Sequence, residues 1–378
     1  MRTRPSRLHP NKLLATSRRR TLCAAWLCLS FIEFASVAQN ARTETSSASR
    51  LNLARLESSI EAQTFPKLTS LIVSQEGRLL YEKYFGEGNS ERLNNTRSAT
   101  KSLTALIVGR ALQDGVIEGV DMKVLRLFSD LPSTAKVDPI KEDIRLKDLL
   151  TMSSAFAADD SDHRSPGNED RMHEQNNWTE WGLGLPIRPD YGRNSAGFGP
   201  FHYATINAVL LGQCVERATH RAIDAYIVET LFAPLGISQY KFQKSPAGEI
   251  MTGGGLELRS IDLWRLGQLL ADEGRYEGKQ IIPTSWVNEC LTVRQTDTGR
   301  AGVQYGFLFW HTNFPVGNRL ESGWYMAGNG GNLVLVVPSI KAVIVVTRTA
   351  YNLPTAAKET FEIVSNFILP SLKEAATH

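Results

Sequence analysis

Short apolar runs lie near both ends of the chain, and apolar residues recur at helical spacing between them. Leu51, Leu53, Leu56 and Ile60 share one face of a helix expected over 51–62. Leu68 to Ser74 and Arg78 to Phe85 read as strands, with Gln75-Glu76-Gly77 as the turn of a hairpin. The apolar run after Ser98 predicts a buried helix that stops at Asp114-Gly115. A short amphipathic helix is expected over Ile144–Leu150, and longer ones over 206–219 and 222–232, the latter stopped by Pro234-Leu235-Gly236. Ser260 is placed to cap a helix that ends at Asp272, and Pro283-Thr284-Ser285-Trp286 starts another. Ala157 to Asn177 is polar and without period, a surface loop of the length that often carries function. Strands over 303–312, 333–338 and 342–349 and a helix over 355–369 close the chain. Strands at both ends with helices between predict an α/β (α+β) sandwich. One antiparallel sheet is built from both chain ends, with flanking helices and a helical insertion.

Charge changes this picture only at the start. The 378 residues carry 42 Lys and Arg against 39 Asp and Glu, a balance that implies no nucleic-acid partner. Residues 1–38 hold seven of the basic residues and only Glu33 among the acids, which leaves 35 basic against 38 acidic residues in the remainder. A basic segment ending at Arg20, an apolar run from Thr21 to Ile32 and Ala35-Ser36-Val37-Ala38 form the pattern of a signal peptide over 1–38. Ser17-Arg18-Arg19-Arg20-Thr21-Leu22 resembles a twin-arginine signal. The run is short for a membrane span, so the expectation is an exported protein, periplasmic or secreted, with no stable membrane insertion after cleavage. Residues 39–50 read as a linker and 51–372 as one domain. Cys214 and Cys290 then remain, as one disulfide or as two buried thiols; the second is the expectation.

The candidate chemistry starts at Ser98 and Lys101. Residues i and i+3 share a helix face, so the hydroxyl and the amine can meet away from water. Burial in an apolar helix is expected to depress the lysine and suit it to take a serine proton. Ser-x-x-Lys also occurs at Ser133/Lys136 and Ser238/Lys241, but in polar loops, and only Ser98 opens an apolar helix. The bland alternative is a capping serine beside a solvated lysine. Tyr203 offers a phenol that could pass protons. Gly328-Asn329-Gly330-Gly331-Asn332 offers a glycine-rich turn whose N–H groups could meet an oxyanion, or simply a tight turn. There is no Gly-x-Ser-x-Gly, no His-Glu-x-x-His, no Cys-x-x-Cys and no P-loop. Asp159, Asp160, Asp162 and His163 cluster at a spacing that fits no metal loop, so neither a metal nor a cofactor is expected.

Taken in order, these pieces resemble the serine β-lactamase-like family of class C β-lactamases, penicillin-binding-protein-like DD-peptidases, and related esterases and amidases. Ser98-Ala99-Thr100-Lys101-Ser102 is similar to its Ser-x-x-Lys motif, and Leu146 to Ser154 to its Leu-Leu-Thr segment. Tyr203-Ala204-Thr205 stands where the family has Tyr-x-Asn or Tyr-x-Ser. Gly254-Gly255-Leu256 with Asp262-Leu263, and Gly328 to Gly331 in place of Lys-Thr-Gly or His-x-Gly, complete the order. The likeness runs over about 55–370 and is nearest the branch of 6-aminohexanoate-dimer hydrolases and esterases, to which Asn176-Asn177-Trp178 also points. It implies the family fold with a five-stranded sheet, no cofactor and small-molecule ester or amide substrates. Ser98 would be the nucleophile, Lys101 the base and Tyr203 the proton relay. The oxyanion and substrate-binding residues would include Asn332, Gly331, Asn329, Thr205 and Trp178. Three departures stand out: Ala155 for glycine, Thr205 for asparagine or serine, and Asn329 for a cation that grips a carboxylate. Asn329 argues against a β-lactamase, Thr205 and Asn329 together motivate a non-catalytic cell-envelope binding protein of the same fold, and that protein or a β-lactamase/DD-peptidase stands as the alternative.

Overall fold

The computed structural model describes residues 53–130 and 138–372. The signal-peptide and linker expectations, and the pair Ser133/Lys136, lie outside the described residues. Helix α1 covers 53–61. The sheet strands are β1 (Leu68–Gln75), β2 (Arg78–Tyr84), β3 (Val303–Tyr305), β4 (Trp310–Val316), β5 (Arg319–Gly328), β6 (Asn332–Val337) and β7 (Ala342–Arg348). The longer helices are α2 (Thr100–Gln113), α3 (Thr205–Thr219), α4 (Ser260–Ala271), α5 (Thr284–Cys290) and α6 (Ala356–Ile363).

The seven strands form one antiparallel sheet in the order β2-β1-β7-β6-β5-β4-β3. β7 lies between the N-terminal hairpin and the rest, with Leu68 opposite Arg348 and Gln75 opposite Ala342. All seven residues of β7 are buried because both faces of the sheet are covered. Gly267 of α4 lies against Val334 and Val343 on one face. The next residue of β6, Leu335, points the other way, toward Phe314, whose ring meets Phe361 of α6 at 5.2 Å.

The sheet has seven strands where five were expected. β5 was missed because Arg319-Leu320-Glu321-Ser322-Gly323 reads as a break; in the fold, Gly323 leaves room for the Leu335 and Phe314 side chains. The single strand expected over 303–312 is two, interrupted at 306–309 where Leu308 takes φ 59°. Ser260 caps no helix: its hydroxyl accepts from Ser70 Oγ at 2.6 Å and Asn94 Nδ2 at 3.1 Å, and so ties α4 to β1. Cys214 and Cys290 are buried free thiols, and burial pushes the Cys214 thiol up. No helix among the described residues is long and apolar enough to cross a membrane.

Candidate active site

Ser98 sits in a 3-10 turn, Arg97–Ala99, that runs directly into α2. Arg97 takes φ 50°, a conformation unfavourable for a side chain with a Cβ, and the turn holds it there. The Arg97 N–H donates to Asn95 Oδ1 at 3.0 Å, and Thr100 Oγ1 donates to the Arg97 carbonyl at 2.8 Å. Thr96 Oγ1 donates to the Leu256 carbonyl at 2.8 Å and fastens the turn to the segment after Gly253-Gly254-Gly255. Ser98 stays partly exposed while Lys101, one turn on, is 1% exposed. Lys101 Nζ lies 3.0 Å from Ser98 Oγ, 2.8 Å from Thr205 Oγ1 and 2.7 Å from the Gly253 carbonyl oxygen. The Tyr203 ring centre is 4.9 Å from the same nitrogen, and its outer face stacks on Trp310 at 5.4 Å.

Two carboxylates from the long polar loop complete the site. Asp160 Oδ2 accepts from the Thr205 N–H at 2.7 Å and from Thr205 Oγ1 at 2.8 Å. Its Oδ1 accepts from the Glu169 N–H at 3.1 Å. Burial pushes the Asp160 carboxyl up to about 6 against the pull of Lys101. Burial also raises Glu169, but its bond to His173 and the Lys101 charge outweigh it and leave the group below the ordinary range. For Lys101, burial pulls the ammonium down, yet Tyr203, Glu169 and Asp160 together carry it above its ordinary value. The expectation of a lysine depressed by an apolar helix is corrected here: the helix buries it, and the loop supplies compensating charge.

The remaining expected site residues divide. Thr205 is fully buried and belongs to the Lys101 network. Trp178 opens the helix Trp178–Gly184; it is 1% exposed, its backbone N–H donates to Glu249, and its ring meets His173 edge-on at 5.7 Å. Asn329 is exposed but tied back: its Nδ2 donates to Asn352 Oδ1 at 2.6 Å and its Oδ1 accepts the Asn352 N–H at 2.8 Å. Gly331 takes φ 85° and faces α6, where a Cβ would come within 2.6 Å of Thr360 Oγ1 and 2.7 Å of the Ala356 oxygen. The Asn332 side chain spans the Asn329 carbonyl at 3.0 Å and the Arg348 N–H at 3.1 Å. Gly328, not Gly331, abuts the Ser98 turn, where a Cβ would overlap the Thr96 carbonyl oxygen and press on Arg97. The outlying Ser238/Lys241 pair is a surface feature, with Lys241 bound to Glu257 at 3.2 Å.

Lys101 thus lies buried between a helix-opening serine and a tyrosine. The beta-lactamase family model matches residues 68–365. The chain belongs to the beta-lactamase family. A 6-aminohexanoate-dimer hydrolase from Paenarthrobacter ureafaciens is 24% identical over 243 residues, which cover 62% of this chain and 58% of that protein's length. Among solved structures, a Bacillus anthracis protein provisionally assigned as a 6-aminohexanoate-dimer hydrolase aligns with TM-score 0.65 and 18% identity, covering 83% of this chain and 82% of its own. A D-stereospecific amidohydrolase from Streptomyces sp. aligns with TM-score 0.59 and 16% identity over 79% of this chain and 93% of its own. At these identities the structures establish a shared fold, and this family member is a hydrolase-family chain of beta-lactamase fold.

A cleft of about 660 Å³ opens beside the site, with Tyr203 and Trp310 in its wall. It is charged: His202 Nδ1 lies 3.1 Å from Asp159 Oδ2, and the Arg300 guanidinium sits 4.6 Å from the Trp310 ring centre. Among the described residues, no group of three His, Cys, Asp or Glu is placed to hold a metal ion. Sequence reasoning missed Asp160 and Glu169, which it left in a polar cluster and a long loop, and Gly253, which acts through its carbonyl. The length of the loop was the one available signal for the acids.

Proposed function

We propose that this beta-lactamase family member is a serine hydrolase that cleaves small ester or amide substrates through an acyl-enzyme on Ser98. The observation that carries the reading is the 3.0 Å contact between Lys101 Nζ and Ser98 Oγ inside a ring of buried hydrogen-bond partners. In the neutral-amine form of Lys101, Ser98 Oγ attacks the carbonyl carbon as its proton passes to the Lys101 nitrogen. The C=O pair moves onto oxygen, where the N–H groups of Ser98 and Asn332 serve as donors. Collapse expels the alcohol or amine, which takes a proton from the Lys101–Tyr203 pair, and leaves the acyl ester. Water then attacks that ester, gives its proton to the same pair, and Ser98 is regenerated. No step requires a cofactor.

The substrate class follows from what surrounds Asn329. Its side chain is engaged with Asn352 and carries no charge, so the grip on a carboxylate that a lysine or histidine would supply there is missing. This favours esters and amides over carboxylate-bearing lactams. The partner is thus a small-molecule acyl substrate, met outside the cytoplasm if the leader pattern over 1–38 directs export. The test uses a fluorophosphonate probe and p-nitrophenyl butyrate. Wild-type protein should label on Ser98 and turn over, and Ser98→Ala should do neither. Labelling on another serine, or undiminished turnover by Ser98→Ala, rejects the reading.

A further inference from the structure

We infer that Asp160 is a positioning residue: acting through Thr205, it aims the lone pair of Lys101 at Ser98. The inference rests on the acyl-enzyme reading and goes beyond it, because it concerns a loop carboxylate that touches neither substrate nor nucleophile.

The donors and acceptors around the lysine leave it one free direction. Lys101 Nζ has three oxygen partners, Gly253 O, Thr205 Oγ1 and Ser98 Oγ. A carbonyl oxygen only accepts, so Gly253 claims one N–H permanently. Thr205 has a single hydroxyl hydrogen, and it donates that hydrogen to Asp160 Oδ2. Thr205 Oγ1 therefore presents only lone pairs to the lysine and claims a second N–H. Asp160 is in turn fixed by the backbone N–H groups of Thr205 and Glu169, so its acceptor direction is set. The third tetrahedral position on Nζ faces Ser98 and the neighbouring Tyr203 hydroxyl, and it alone can gain or lose a proton. In the ammonium it donates to Ser98 Oγ. In the neutral amine it is a lone pair: the Ser98 O–H bond breaks, an N–H bond forms, and the serine oxygen keeps the electron pair for attack.

Without the Asp160 carboxylate, the Thr205 hydrogen could turn toward Lys101, and the lone pair would be satisfied there instead of at Ser98. Asp160 also acts by charge. The groups facing Lys101 are Tyr203 from the segment before α3, Asp160 from the loop, and Glu169 with its partner His173 from the helix Glu169–His173. Asp159 pairs with His202 in the cleft beyond them. Removing the Asp160 charge makes the ammonium easier to deprotonate.

The experiment measures kcat and KM for p-nitrophenyl butyrate against a no-enzyme blank from pH 6 to 11, the range into which the raised Lys101 places the acid limb, using full-length wild type, Asp160→Asn, Thr205→Ser and Thr205→Val, with circular dichroism on each. Thr205→Ser keeps the hydroxyl and should stay within about threefold of wild type, whereas Thr205→Val should lose about 100-fold in kcat with little change in KM. Asp160→Asn should move the acid limb of kcat/KM down by about one pH unit. An unmoved acid limb in folded Asp160→Asn, or Thr205→Val matching wild type, overturns the inference while Ser98 labelling leaves the acyl-enzyme reading intact. Should Thr205→Val misfold, Thr205→Ser and the Asp160→Asn limb still decide. A wild type that does not label on Ser98 overturns both.

Discussion

At the scale of single residues, the site keeps charge where it costs stability. Asp160 titrates near 6 in the fold against an ordinary value of 3.8, so the native state binds its proton more tightly than the unfolded chain does. The unfolded state then holds fewer protons across that window, and the contribution of this group to stability falls as pH rises from about 4 to about 6. A carboxyl displaced that far sets an upper bound on the order of 3 kcal/mol for this loss. Urea unfolding of wild type and Asp160→Asn at pH 4, 5, 6 and 7 checks it: the wild type should lose stability relative to the variant as pH rises, and parallel curves contradict the assignment. Gly328 gives a second expectation. A Cβ there would run into the Thr96 carbonyl and displace the strand end, with Asn332 paired to it, from the Ser98 turn. Gly328→Ala should therefore cost on the order of 100-fold in kcat with little change in KM, as loss of an oxyanion donor does, measured on p-nitrophenyl butyrate. Ser98, Lys101, Tyr203 and Thr205 were legible in the sequence because a fixed spacing or a family position marks each. Asp160 and Glu169 were not, since nothing local marks which carboxylate of an acidic, aperiodic loop will be folded onto a lysine some sixty residues earlier in the chain.

At the scale of elements, periodicity found what it could measure. α2, α3 and α4 are long and apolar on the face they bury, and their observed limits fall within a few residues of those expected. β5 was lost because its first half is polar and half-exposed, and only Gly323 to Met326 is buried. Its importance comes from where it ends, beside the nucleophile turn, and that is a tertiary fact. The turn after it is held by Arg348 at the end of β7. Arg348 Nη1 donates to the Ala356 carbonyl at 2.9 Å, Nη2 donates to the Pro66 carbonyl at 2.7 Å and to Glu359, and the N–H of Arg348 reaches Asn332. The Arg348 side chain is fully buried and Glu359 is 18% exposed. Arg348→Leu leaves a carboxylate and two carbonyls without their cation and should destabilise the fold by roughly 3 kcal/mol or more. Glu359→Gln, at the wetter end of the pair, should cost about 1 kcal/mol. Chemical denaturation of both variants gives the comparison, and equal losses would show that the pair is not organised around the arginine.

At the scale of the whole molecule, the sheet makes the two ends of the chain interdependent. β1 belongs to the first part of the described chain and β7 to the last, yet they are neighbours, and β7 bridges the N-terminal hairpin to β6. The Ser98 turn follows β2 within some fifteen residues, and the strand end beside it belongs to β5, so the geometry around Ser98 depends on β7 joining the two halves. Such long-range pairing carries a large loop-closure cost that is repaid only when the sheet closes. A chain ended at Lys341 would expose one edge of β1 and one edge of β6, both lined with apolar residues. It should fail to unfold cooperatively, take no fluorophosphonate label and aggregate, even though every residue proposed for catalysis is still present. A chain lacking residues 1–47, by contrast, keeps all seven strands and should label on Ser98 at the wild-type rate. Labelling rates and circular dichroism of the two shortened chains decide the matter: a labelled chain ending at Lys341 would mean that the site forms without β7, and that the order of the sheet does not set the geometry at Ser98.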